Sequence, residues 1–385
     1  MRSRAKWTVM VYMAGDNNLE NAAMVDLKEM AKVGSTSAVN IVVQLDRERD
    51  NITKRIRVLK KGHTSPTLLL PETDTGDPAV LTDFLQWSVA NYPAGRYMLV
   101  LWNHGGGWWE DERSGQKKRL SFFKHAHPAI GKRGICYDDT SNGDCLDNAE
   151  LKNTLVDFSA LIGGKLDILG MDACLMQMAE VVYQLRDSVS FIVGSELEEP
   201  ENGWPYHTIL SYLVKNPNVA PDIFSKEIVA RYVQSYSAGK ETVTQSAFDA
   251  GKITEVKTAI GNLAIYLTAN LDDDAFRNGI AYAWRKAVKF FDDNYVDLKS
   301  FANILKTKCP KSTDLNARVN ALVNSLKVGK GKGTIIAAGY QGSSMKRTCG
   351  MSIYFPADHI NSAYKYLDFN SAEGSWLQFL KKFLS

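Results

Sequence analysis

What the 385-residue sequence lacks narrows its function first. No apolar run approaches the roughly 18 residues of a membrane-spanning helix, so no membrane span is expected. Trp7 to Ala14, behind Arg2, Arg4 and Lys6, imitates a signal peptide, but it is short and no small-residue cleavage site precedes Gly15-Asp16-Asn17. It reads as a first strand, and no export signal is visible in the given chain. Neither charge sign dominates: 46 basic against 43 acidic residues leave +3, too little to imply a nucleic-acid or anionic-membrane partner. Cysteines are few, odd in number and without C-x-x-C spacing, so neither a disulfide scaffold nor a zinc site is indicated. Cys136, Cys145, Cys309 and Cys349 read as structural. His63, His125, His127 and His359 lie in loops without a partner motif, and no pair has helical metal-ligand spacing. Internal repeats and low-complexity linkers are missing too. What remains is a chain with 45% apolar residues, long enough for two to three domain-sized units or one large core with an annex.

Its elements alternate. Trp7 to Ala14, Val39 to Asp46 and Tyr97 to Trp102 are continuous apolar runs, the pattern of strands buried on both faces. Ile52 to Leu59 alternates with basic residues, as an edge or hairpin strand does. Helices are predicted from Leu19 to Lys32, with Asn17-Asn18 as cap chemistry, and from Asp77-Pro78 to Tyr92. A helix over Asp147 to Ser159, a strand Leu166 to Asp172, a helix Leu175 to Leu185 and a strand Phe191 to Ser195 continue the series. Such alternation predicts an α/β fold with a mainly parallel sheet covered on both faces, whose chemistry gathers at the carboxyl ends of the strands. After Pro221 helices dominate, with short strands near 246–248, 334–340 and 351–355. The expected division is 1–250 as the main domain and 251–385 as a mostly helical subdomain whose late strands return to the main sheet.

Two strand ends carry reactive groups. Leu99 to Trp102 runs into Asn103-His104-Gly105-Gly106-Gly107-Trp108, placing an imidazole beside glycines whose amides can approach a ligand closely. Ile168 to Met171 runs into Asp172-Ala173-Cys174, with the predicted helix directly behind, where helix amides and dipole favour a thiolate. One reading is a dyad: Cys174 attacks a carbonyl, His104 handles the proton, and the amides of Gly105 and Cys174 hold the oxyanion. The plain alternatives are a buried cysteine serving as a small hydrophobe and a structural strand-end histidine. His104-Gly-Gly-Gly-Trp108 also matches the oxyanion loop of lipase-like hydrolases, but no G-x-S-x-G elbow exists in the chain. Asp138, Asp139 and Asp144, with Asn142 and Asp147, offer oxygens to calcium without EF-hand order; an ordinary solvated turn is the simpler expectation. The glycine-rich stretch between Gly105 and Asp147 is too long for an idle loop in a compact domain, and it carries Lys117-Lys118-Arg119.

With His104 and Cys174 each ending a strand, the chain resembles the clostripain family of cysteine peptidases, grouped with caspases, legumains and gingipains. Val9 to Leu19, Trp102 to Trp108, Met171-Asp-Ala-Cys174 and Gly203-Trp-Pro-Tyr206 carry the resemblance, all within the first 210 residues. It implies a caspase-like three-layer sandwich, His104 and Cys174 as the catalytic pair, and cleavage after Arg or Lys of peptide or protein substrates. The histidine is then expected to protonate the leaving amine. Asp172 is the carboxylate that matches the specificity pocket, since a desolvated guanidinium or ammonium needs a paired charge; its alternative role is a helix N-cap. Asn202 departs from the Asp that family members often carry before Gly-Trp, which leaves the balance between Arg and Lys open and makes Glu201 the substitute. The resemblance also implies self-cleavage at Lys117, Lys118 or Arg119 of a zymogen, giving two associated fragments of a monomer; a solvated basic turn is the alternative. No cofactor is required by the residues, calcium is an option by resemblance, and relatives are commonly secreted. An inactive, peptide-binding relative is the competing reading.

Overall fold

The computed structural model describes residues 4–60, 66–108, 134–291, 293–329, 331–371 and 374–385. The basic cluster Lys117-Lys118-Arg119, with His63, His125 and His127, lies outside the described residues. In chain order the first half holds β1 (Ala5–Gly15), α1 (Glu20–Val33), β2 (Val39–Arg47), β3 (Ile52–Arg57), β4 (Pro66–Pro71), α2 (Pro78–Asn91) and β5 (Ala94–Trp102). The hairpin β6 (Ile135–Asp138) and β7 (Asp144–Leu146) follows, then α3 (Asn148–Ile162), β8 (Leu166–Asp172), α4 (Ala179–Leu185) and β9 (Val189–Gly194). The second half has α5 (Tyr206–Lys215), α6 (Pro221–Ser235), β10 (Val243–Asp249), α7 (Ile253–Ala269), α8 (Asp274–Lys286), β11 (Lys289–Phe290) and β12 (Tyr295–Asp297). It closes with α9 (Leu298–Lys308), α10 (Thr313–Ser325), β13 (Ile335–Gln341), β14 (Ser352–Tyr354) and α11 (Ser375–Leu384).

Nine strands form the main sheet in the order β13-β10-β9-β8-β5-β1-β2-β3-β4. The five central strands, from β2 to β9, are parallel, and antiparallel strands flank them on both sides. Period-two alternation explains why the central strands are apolar throughout. Trp7, Val9, Val11 and Met13 of β1 join one hydrophobic cluster with α1, α5 and α6, while Met10, Tyr12 and Ala14 join the opposite one with α2, α3 and α4. This is the expected three-layer α/β sandwich.

β13 does return to the main sheet, antiparallel to β10, whereas β14 pairs with β12 in a separate small sheet. Packing runs across residue 250: one cluster joins Leu169, Val182 and Phe248 to Ile253, Leu305, Tyr354 and Phe379. Buried Glu180 of α4 stitches the C-terminal segment on, accepting from Tyr354 N at 2.9 Å and the Tyr364 hydroxyl at 2.7 Å. The strand read at Ile52 as an edge or hairpin strand is the hairpin partner of β2 and not the edge. β4, bounded by prolines at both ends, takes that place, where a missing N–H does no harm.

Candidate active site

Strand register builds the site. β5 and β8 are neighbours, and Trp102 lies directly beside Asp172, so the two residues next along each chain lead to His104 and Cys174 at the same edge. Both line one narrow cleft with Asn103, Asp172, Glu199 and Gly203. Gly105 sits against the nucleophile's backbone: any Cβ there would collide with the Cys174 carbonyl oxygen. Among the described residues neither Gly105 N–H nor Cys174 N–H has an acceptor, which leaves two backbone donors beside the thiol.

The segment behind Cys174 corrects one expectation. The helix starts at Ala179, not Leu175, so Cys174 is not at a helix end, no dipole acts on it, and Asp172 caps nothing. Instead residues 174–178 form an irregular turn. Leu175 takes φ +67°, and Leu175 N and Gln177 N donate to Leu197 O and Ser195 O at 3.3 and 3.0 Å. A left-handed leucine is strained and persists only where surrounding contacts hold it, here at 2% exposure. The thiol is 8% exposed and accepts from Glu199 N at 3.3 Å. Burial pushes its pKa up, and the carboxylates of Glu199, Glu198 and Asp172 push the same way against that one N–H. The resting thiol is therefore protonated.

His104 is held from two sides. Its Nε2–H donates to Asn18 Oδ1 at 2.7 Å, and its backbone N–H donates to Asn103 Oδ1. Asn103 in turn donates to Ala14 O and Tyr137 O, pinning the loop to the end of β1 and to β6. Asn17-Asn18, read as cap chemistry, serves differently: α1 begins behind Leu19 with no side-chain cap, and Asn18 orients the imidazole. The asparagine pair was visible in the sequence, but its partner was not.

The pocket beside the dyad contains three buried carboxyls. Asp172 accepts from the Tyr206 hydroxyl at 2.8 Å and from Trp204 N at 3.3 Å, and it is in hydrogen-bond contact with Glu199. Glu199 also accepts from Gln245 Nε2 at 3.3 Å, while its Oε2 has no conventional donor. Behind them Asp26 accepts from Trp102 Nε1 at 2.8 Å. Burial raises Asp172 to about 6 against the pull of its hydrogen bonds. Glu199 is raised well above the usual range by burial and by Asp172, and Asp26 to about 9 by burial and Asp172. No lysine or arginine pairs with Asp172 or Glu199 among the described residues. Glu201, the expected second acid, is exposed at the rim with Asn202, and Glu199 holds the inner position instead. Gly203, at φ +50°, closes the pocket wall; a Cβ there would stand 2.9 Å from Asp172 Oδ1.

Two further carboxylate groups lie close together. Glu196 and Asp297, beside Cys349, are in contact with each other and accept from Gly350 N, Cys349 N and Ser300 N, while Glu196 Oε1 has no conventional donor. The Asp-rich turn behaves unlike a solvated one: Asp138 is fully buried and joins Asp16, Asp46 and Glu72, while Asp147 caps α3. All five cysteines are buried free thiols.

The clostripain family's sequence profile matches residues 11–383. The chain belongs to the clostripain family. That span carries the likeness through the helical half, beyond the motifs of the first 210 residues. Clostripain from Hathewaya histolytica is 29% identical over 318 residues, covering 68% of this chain and 56% of that protein, so the chain spans little more than half of that relative. Among solved structures, a secreted C11 cysteine protease from Bacteroides thetaiotaomicron, held with an irreversible peptide inhibitor, superposes with TM-score 0.69 at 21% identity over 98% of this chain and 99% of that one. An inactive zymogen C11 protease from Parabacteroides distasonis gives TM-score 0.68 at 18% identity, over 96% and 98%. These two establish the family fold for the chain. No helix of the described residues is long and apolar enough to cross a membrane.

Proposed function

We propose that the chain is a cysteine endopeptidase of the clostripain family that cleaves peptide bonds after Arg or Lys. The observation that carries this reading is the register of Trp102 beside Asp172, which sets Cys174, His104 and a buried carboxyl pair without a fixed cation in one cleft. A substrate guanidinium or ammonium entering beside Asp172 and Glu199 supplies the charge the pocket lacks. It also neutralises the carboxylates that oppose ionisation of Cys174, so substrate binding favours the thiolate. The Cys174 proton passes to His104, leaving an imidazolium, the sulfur adds to the scissile carbonyl carbon, and the Gly105 and Cys174 amides receive the oxyanion. The C–N bond breaks as His104 gives its proton to the leaving amine, and water hydrolyses the thioester to release the acid and regenerate the thiol.

A fluorogenic peptide panel varying the residue before the scissile bond tests this. Arg and Lys peptides are expected to be cleaved and Asp or Asn peptides not, with activity falling at least about 10^4-fold in Cys174→Ala. Comparable cleavage after Asp or Asn would overturn the pocket assignment. In an inactive peptide-binding relative, iodoacetamide would label Cys174 no faster than the buried thiols even with an Arg peptide present. Self-processing is part of the same proposal: incubation yields a new amino terminus after Lys117, Lys118 or Arg119, and Cys174→Ala stays whole.

A further inference from the structure

Among the described residues, none that lines the cleft lies beyond Gly203 in the chain. The small sheet β11-β12-β14 of the helical half nevertheless touches all three segments that build the cleft. Behind His104, the Tyr295 hydroxyl of β12 donates to Gly106 O at 2.6 Å, and the Trp108 ring packs on Tyr354 of β14 with centroids 4.9 Å apart. Behind Cys174, Ser352 N of β14 donates to Gln177 O at 3.1 Å, and Met178 and Ser352 form a parallel bridge. Behind β9, Gly350 N donates to Glu196 Oε2 at 2.9 Å, three residues before Glu199. The register of the small sheet sets Tyr295 directly opposite Tyr354, so both rings stand on one face and meet the same segment.

Of these contacts, the one from Tyr295 falls where the chain has least stiffness of its own. Gly105, Gly106 and Gly107 follow the imidazole in succession, and three glycines lose more backbone freedom on ordering than any other residues would, so contacts from outside must hold them. Asn103 pins the chain before the run. Within it, Gly106 is held at both its polar groups: its N–H donates to Gly134 O at 3.0 Å, and its carbonyl accepts from Tyr295. The Tyr295 ring also backs Gly107, where a Cβ would stand 2.9 Å from Tyr295 Cε2 and 2.6 Å from Met178 Sδ. Tyr295 itself is 0% exposed and has no freedom to follow a wandering loop.

We propose that Tyr295 is a positioning residue for the peptidase reaction: its hydroxyl and ring hold the glycine run so that the His104 imidazole and the Gly105 amide stay in register with Cys174. This rests on the function proposed above. Tyr295 touches neither the sulfur nor the cleft, and it acts only through the loop it holds.

Tyr295→Phe removes the hydroxyl and keeps the ring. Its kcat on an Arg peptide is expected to fall about 10- to 100-fold, the scale of a small misplacement of reacting groups, with KM within about twofold because Asp172 and Glu199 are untouched. Trp284→Phe is the matched control: Trp284 Nε1–H donates to Phe355 O at 2.9 Å in the same half and meets neither catalytic segment. It should lower Tm comparably and leave kcat within about twofold. An unchanged kcat in Tyr295→Phe, or an equal loss in Trp284→Phe, would overturn the proposal. A second readout needs no activity. In 15N-histidine spectra of full-length Cys174→Ala protein, which has six histidines, His104 is assigned by its loss in His104→Gln. Adding Tyr295→Phe should move the His104 ring nitrogens away from the single Nε2–H form that Asn18 holds, and adding Trp284→Phe should not. A His104 signal that stays in place with Tyr295→Phe would sink the proposal by itself. A parent enzyme that cleaves nothing, with the His104 signal still moving, would count against the peptidase function and uphold the grip of Tyr295 on the imidazole.

Discussion

Two groups of desolvated carboxyls stand on the same edge of the sheet, and they differ in what surrounds them. The cluster at Asp172 and Glu199 opens into the cleft of Cys174, and the Tyr206 hydroxyl, Trp204 N and the Gln245 amide support it. The cluster at Asp16 and Asp46 is walled off behind β1 and β2, with Glu72 alone facing solvent and one oxygen left without a donor. Both gather carboxyls in low dielectric with no lysine or arginine partner among the described residues, and burial raises the pKa of Asp172, Glu199, Asp16 and Asp46. Access separates them: the open cluster suits a ligand that comes and goes with each turnover, whereas the closed one lies out of a peptide's reach. The pair at Glu196 and Asp297 differs again, since the backbone amides of Gly350, Cys349 and Ser300 supply its donors.

The sharpest way to break this comparison is to neutralise the open cluster one acid at a time. Asp172→Asn is expected to lower kcat/KM on an Arg peptide by about 10^2 to 10^4-fold, the scale of removing one partner from a buried ion pair, about 3 to 5 kcal/mol. Glu199→Gln should cost about tenfold, and Glu201→Gln at the exposed rim no more than about twofold. A larger effect at Glu201 than at Glu199 would reverse the assignment of the inner acid. Next comes pH. Asp172 must be ionised to pair with a cation and its pKa is raised to about 6, so kcat/KM on Arg peptides should rise between pH 5 and 7 with a midpoint near 6. That acidic limb should vanish in Asp172→Asn; its persistence would assign it to another group. The smallest effect concerns the pocket wall. Gly203→Ala places a methyl against Asp172 in a left-handed backbone, and differential scanning calorimetry should record a loss of about 1 to 2 kcal/mol with a few-fold lower kcat/KM.

Much of the scaffold was legible because buried parallel strands are continuous apolar runs, and β1, β2, β5 and β8 have that form. Asp77-Pro78 placed the start of α2 equally well. β4 escaped because it is short and bounded by prolines, and Leu175 to Met178 was assigned to a helix because its apolar pattern continues smoothly into α4. What breaks the helix there is tertiary: Leu175 and Gln177 bond sideways to Leu197 and Ser195, which overrides local propensity.

The sequence by itself determined the reactive groups and their order: a histidine and a cysteine each after a buried strand, glycines beside one and Asp172 beside the other. It could not decide which of Glu196, Glu198, Glu199 and Glu201 faces Asp172, since an irregular loop imposes no side-chain period and the four acids are chemically alike. Nor could it show that Asp16, Asp46, Glu72 and Asp138 meet, because their convergence depends on neighbouring β1 and β2 and on β6 closing over their ends. Only the tertiary structure sets burial and proximity, and these decide whether a carboxylate is a solvated surface charge, a hydrogen-bonded strut or half of an unmet ion pair.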